Sequence, residues 1–107
     1  MQDDARSSYR VEVHPSDIDG VLAELEVHFT GGPLDGTKLV GFQVRRGNND
    51  GTFVTFPARA WGAGTERRYY DFLRSTASDR RVARLSMARV ARWLKDAWKK
   101  EVGDEAN

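Results

Sequence analysis

Between residues 59 and 70 the chain carries Arg59, Trp61, Arg67, Arg68, Tyr69 and Tyr70, and Arg45 and Arg46 stand one turn upstream. Guanidinium groups fork onto phosphate oxygens, and an exposed aromatic ring offers a face on which a base can stack. Together these residue types have the chemistry needed to hold a nucleic-acid strand. The competing reading places Trp61 and one of the two tyrosines in a core or an interface, where large rings anchor packing. Strand alternation sends Tyr69 and Tyr70 to opposite faces, so at least one of them points away from a core.

Other chemistry finds less support. His14 and His28 are the only histidines, and each falls in a strand-like stretch without a Cys, His or carboxylate at the spacing of a metal motif. His28 alternates with Glu24 and Glu26 and is expected to be an exposed or edge side chain, so no metal ligand is assigned. The glycine pair of TGGPLDGT precedes a strand instead of opening a helix, which removes the dipole that phosphate loops exploit. Asp17 and Asp19 fall in a loop. The nucleophile-elbow, P-loop and dinucleotide glycine motifs are absent, and there is no cysteine for thiolate or disulfide chemistry. The chain therefore reads as a non-enzyme, with no catalytic residue, cofactor or small-molecule substrate expected.

The elements that must position these residues follow from periodicity. Tyr9 to Val13 reads as a short strand. Val21, Ala23, Leu25, Val27 and Phe29 alternate with Leu22, Glu24, Glu26 and His28 at the two-residue period of a half-buried strand. Thr30 to Thr37 is a loop, after which Val40, Phe42 and Val44 are expected on one face of a strand and Gly41, Gln43 and Arg45 on the other. Asn, Asp and Gly tolerate positive φ, so Gly47 to Gly51 reverses the chain into a return strand, Thr52 to Phe56. Pro57 cannot donate to a ladder, so the residues after it leave the sheet at its rim. Gly62 and Gly64 imply a mobile or tightly bent segment before a further strand from Glu66 to Phe72.

The last third changes period. Thr76 and Asp79 resemble a capping box at a helix start. At 100° per residue Val82, Val90, Trp93, Leu94, Ala97 and Trp98 share one half of the helix, and Arg81, Arg84, Arg89, Arg92, Lys95 and Lys99 share the other. Such a face is ordinarily just solvated surface, but like charges at four-residue spacing repel by a few tenths of a kcal/mol, roughly, which argues for an anionic counterpart. A phosphate backbone, an acidic protein and an anionic surface all qualify. The net charge of +1 conceals a division: residues 1–44 sum to −5 and residues 45–107 to +6. No stretch of about 18 apolar residues is present to span a bilayer, and MQDDARSS lacks the order of a signal peptide. A cytoplasmic location is expected, with no membrane partner.

Within Leu39 to Arg59, the run LVGFQVRRGNNDGTFVTFPAR resembles the SpoVG-like family, named for sporulation stage V protein G. Gly47, Asn48, Asn49 and Gly51, then Phe53, Val54 and Pro57, then Arg59 carry the resemblance. It covers about 85 residues when the strand pair before and the helix after are included. The resemblance implies a bacterial α+β homodimer that binds DNA and RNA as a regulator of gene expression, septation and sporulation, with contacts on basic residues just past the proline. By position Arg59 carries over, and Arg67 matches a later arginine. Asp50 lengthens the turn, Ala60 replaces the second basic residue, and the basic helix with its two tryptophans lies outside the family pattern.

The expected fold is α+β: an antiparallel meander of four to five strands, then one long amphipathic helix. Residues 1–8 are expected to be frayed, 9–102 to form the domain and 103–107 to be an acidic tail. Arg45, Arg46, Arg59, Arg67 and Arg68 would contact phosphates, Trp61 or Tyr70 would stack on bases, and Arg84, Arg92 and Lys95 would extend the track. Salt-sensitive binding with weak sequence preference follows. The alternative is an adaptor whose basic helix docks an acidic protein.

Overall fold

The computed structural model describes the backbone of residues 8–106 and the side chains of residues 8–103. The first seven residues of the expected frayed terminus lie outside the described residues. Strands β1 (Tyr9–Pro15), β2 (Val21–Phe29), β3 (Lys38–Arg46) and β4 (Thr52–Thr55) form an antiparallel meander in the order β1-β2-β3-β4. Strands β5 (Ala58–Trp61) and β6 (Arg68–Asp71) pair as a separate two-stranded ribbon, and helix α1 spans Arg80–Ala106. The class is α+β, as expected from the change of period.

The alternation of β2 works as its residue types dictate. Ala23, Leu25 and Val27 are buried on one face together with Phe42, Val44 and Leu94 of α1, while Val90 and Trp98 pack at the margin. Each of the buried Val, Leu and Phe side chains contributes about 1.5–3 kcal/mol. Phe42 meets Phe56 edge to face at 5.7 Å, which ties the end of the meander to its centre.

The alternation expected for β3 fails at one point. Leu25 pairs with Phe42 but Val27 pairs with Leu39, so β3 holds one residue more than β2 across that interval. This is a bulge, and Gly41 carries its positive φ of +102°. The extra residue turns Val40 outward to 53% exposure. Leu39, instead of Val40, faces the groove beside the helix.

Two helix boundaries also differ from expectation. Asp79, not Thr76, caps α1: its Oδ1 accepts hydrogen bonds from the N–H groups of Arg81 and Val82 at 2.8 and 3.2 Å. The helix continues through Gly103 to Ala106, so the expected acidic tail begins as helix. A glycine stops a helix when it adopts the left-handed region, and Gly103 is not among the positive-φ glycines. The turn at Asn48–Asp50 takes its left-handed residues from Asn49 (φ 58°) and Asp50 (φ 62°), with Gly47 and Gly51 closing it through a 2.8 Å hydrogen bond.

After Pro57 the chain forms strand β5 and then bends tightly, as expected, at Gly62 (φ +87°) and Gly64 (φ +61°) before β6. Pro57 ends the meander and accepts a 2.9 Å hydrogen bond from Phe72 N–H. It packs against Gly41 so closely that a Cβ there would lie 2.8 Å from Pro57 Cβ. The bulge and the proline together hold the base of the β5–β6 ribbon against β3.

Candidate functional site

The ribbon places four sequence-predicted residues on one face. Arg59 pairs with Tyr70 and Trp61 with Arg68, and residues two apart on a strand point the same way. Trp61 and Tyr70 are therefore diagonal neighbours, and their rings stack at 5.7 Å between centroids and 19° between planes. Both remain about half exposed, at 51% and 47%. Arg59, Trp61 and Tyr70 line a shallow cleft of about 210 Å³. The competing reading of these rings as core anchors does not hold, because every residue from Arg59 to Phe72 is exposed.

A fifth residue joins this face unforeseen. The Arg74 guanidinium lies 5.1 Å from the Tyr70 ring centroid, within cation–π reach, and its Nε donates to the Asp71 carbonyl at 3.1 Å. Arg67 sits instead at the turn, 6.0 Å from the centroid of Tyr69, whose place in the alternation is the opposite face of the ribbon. The ion pairs found among the described residues involve Arg10, His14, His28 and Lys38 with Glu12 and Glu26. None of them engages Arg59, Arg67 or Arg68.

The other predicted basic residues gather elsewhere. Arg45 and Arg46 pair with Phe53 and Thr52 at the start of β4, whereas Pro57 follows its end, roughly 16 Å away at strand rise. Arg45 donates to Gln43 Oε1 at 2.9 Å, and Arg46 is exposed. On α1, Arg84 and Arg92 are exposed. Arg92, Lys95 and Lys99 line a cleft of about 420 Å³ beside Thr52, Phe53 and Val54. Lys95 does not belong to a purely solvated face: its Nζ donates to the Thr52 carbonyl at 2.9 Å, capping an open group of the edge strand. Nine of the ten predicted residues thus fall into a ribbon face, a β4 corner and a helix flank, with Arg67 apart at the ribbon turn, not one continuous track.

A further cluster escaped the sequence reading. The register pairs Glu12 with Glu26, Arg10 with His28 and His14 with Glu24, which brings two period-two sets together on the sheet face opposite α1. His28 Nε2 lies 2.9 Å from Glu26 Oε1 and 3.5 Å from Glu12 Oε1, and His14 Nε2 lies 3.4 and 3.6 Å from the same two atoms. Lys38 Nζ is 3.2 Å from Glu26 Oε1, and Arg10 pairs with Glu12. The hydrogen bond with His28, joined by Lys38 and His14, outweighs desolvation and lowers the Glu26 pKa from its ordinary 4.5 to about 2. Glu12 is lowered too, chiefly by its hydrogen bond from Arg10. His28 is half-buried on an interior strand, not the edge residue expected. The overlooked signal was the hairpin register, which makes carboxylates on one strand neighbours of imidazoles on the other.

An apolar groove of about 360 Å³ opens between α1 and the sheet, lined by Phe29, Leu39, Leu73, Val90 and Trp93 among others. Arg89, expected on the solvated helix face, also lines it. At 27 residues α1 is about 40 Å long and outruns the sheet, leaving Val82 and Leu85 50% and 60% exposed. Among the described residues no helix is long and apolar enough to cross a membrane. Comparison with protein-family models, with curated proteins and with solved structures finds no match to this chain.

Proposed function

We propose that this chain is a cytoplasmic, non-enzymatic regulator that binds nucleic acid through the outer face of the β5–β6 ribbon. The observation that carries the reading is the exposed Trp61–Tyr70 stack set between Arg59 and Arg68. The free face of the stack accepts a base, and the guanidinium groups beside it donate hydrogen bonds to the adjoining phosphates. Unpaired bases fit such a platform better than a duplex, whose bases are already stacked. The reading accords with the likeness of the Leu39–Arg59 segment to SpoVG-like regulators. It also includes a homodimer, in which a second copy covers the apolar groove and the exposed Val82 and Leu85.

The test is fluorescence anisotropy with random single-stranded and duplex DNA and RNA at low and physiological salt. Binding that favours single strands and weakens steeply with salt supports the proposal. An affinity indifferent to salt, or no binding at low salt, overturns it. The alternative, an acidic protein docking on Arg84, Arg92 and Lys99 of α1, predicts failure to bind any oligonucleotide while an acidic partner is retained.

A further inference from the structure

The geometry points to a divalent transition-metal site, suited to zinc, on the exposed face of the β1–β2 hairpin, with His14, His28, Glu12 and Glu26 as ligands. Glu12, Glu26 and His28 present ligand atoms that all lie within 4.8 Å of one another. His14 Nε2 adds a fourth, 3.6 and 3.4 Å from the carboxylate oxygens of Glu12 and Glu26. Zinc takes nitrogen and oxygen ligands at about 2.0–2.2 Å, which puts adjacent ligands of a four-coordinate ion about 3.4 Å apart. The four imidazole–carboxylate separations are 2.9, 3.4, 3.5 and 3.6 Å, close to that spacing; His14 stands outside the convergent group of three and has to swing toward His28 on loading. Two imidazoles with two carboxylates suit zinc better than magnesium or calcium, which prefer all-oxygen shells.

The backbone explains why these atoms converge. Glu12 and Glu26 are directly paired across the hairpin, and each histidine lies two residues beyond one of them on the same face. A bound ion would bridge edge strand β1 to interior strand β2. Loading requires each Nε2 to present its lone pair to the ion and Lys38 to leave Glu26. The lysine is thus a competitor at the site, a role that an ion-pair network without metal would not give it. The site faces away from α1 and does not depend on the nucleic-acid reading.

The experiment is calorimetric titration of the untagged full chain with zinc chloride in a non-chelating buffer, with cobalt(II) absorption as a probe of coordination. Uptake of one zinc per chain is expected, together with a visible cobalt band of four-coordinate intensity and a rise in melting temperature on loading. His14→Ala and His28→Ala should each weaken zinc binding more than about tenfold, since even outer-shell partners are typically worth that much. Lys38→Gln should tighten it severalfold. Thermal melts without metal check that each variant folds; should His28→Ala not fold, Glu12→Gln and His14→Ala, at more exposed positions, replace it. Absence of saturable uptake, or uptake unchanged in the histidine variants, overturns the site.

Discussion

Trp61 and Tyr70 stack across the β5–β6 ribbon with both rings open to solvent, an arrangement that leaves apolar surface exposed without filling any core. If the stack is a base platform, its loss should appear in affinity and not in stability. Trp61→Ala should weaken single-stranded oligonucleotide binding by about 1–3 kcal/mol, on the order of 5- to 150-fold, while Trp61→Phe retains most of it. Anisotropy titrations measure the affinity and urea melts the stability. Trp61→Ala that binds like the parent would remove the platform from the interface.

The cationic residues divide by what they touch. Arg59→Ala and Arg68→Ala, beside the stack, should each reduce the slope of log affinity against log salt by about 0.7 for a single strand. Lys95→Ala should act differently, because its Nζ is spent on the Thr52 carbonyl. It is expected to cost about 1 kcal/mol of folding stability with little change in salt slope. Binding at a series of salt concentrations, paired with denaturant melts, separates the two behaviours. Equal slopes for all three variants would show that the ribbon has no privileged role.

Gly41 anchors the ribbon to the meander, and a glycine comparison tests this. Gly36 and Gly41 both have positive φ, +86° and +102°, but a Cβ at Gly36 meets nothing within 4 Å whereas one at Gly41 meets Pro57 at 2.8 Å. Gly36→Ala should cost about 1 kcal/mol for backbone strain alone. Gly41→Ala should cost more, about 2–3 kcal/mol, and should also loosen the ribbon. Denaturant melts give the stabilities, and amide exchange of residues 58–71 reports the loosening. Equal costs at the two positions would mean that Pro57 moves aside freely.

What was legible in the sequence, and what was not, follows from the range of the interactions. Leu25 and its neighbours show their burial through alternation, a signal contained within one strand. Val40 does not, because the bulge at Gly41 that turns it outward is defined only against β2. The Arg59, Trp61 and Tyr70 constellation could be listed from composition, yet placing Trp61 beside Tyr70 and Arg68 on one face needed the register of β5 with β6. That same register logic removed Arg45 and Arg46 from the group, since they sit at the other end of β4. The reading of His28 fails for the same reason: its partners in the chain are Glu24 and Glu26, but its neighbours in space include Glu12 of another strand. Propensity explains why α1 runs on through Gly103, where a penalty of about 1 kcal/mol is too small to end a helix without a left-handed turn.

Glu26 provides a pH test of the hairpin cluster in the absence of metal. Its folded-state pKa is lowered to about 2 from an ordinary 4.5, first by the hydrogen bond with His28 and further by Lys38 and His14. A depressed carboxylate stabilises the fold where it is ionised in both states, so its contribution is fully present above about pH 4.5. That contribution falls away as pH drops through the window toward 2, where the folded form also takes up the proton. Other carboxylates titrate over the same range, so the informative quantity is the difference between the parent chain and Glu26→Gln in buffer containing a chelator. The variant should be less stable near neutral pH, and the gap should close progressively between pH 4.5 and 2 in denaturant melts. A gap that stays constant to pH 2 would mean that the neighbouring cations do not stabilise the ionised Glu26, and that its partners serve only as packing.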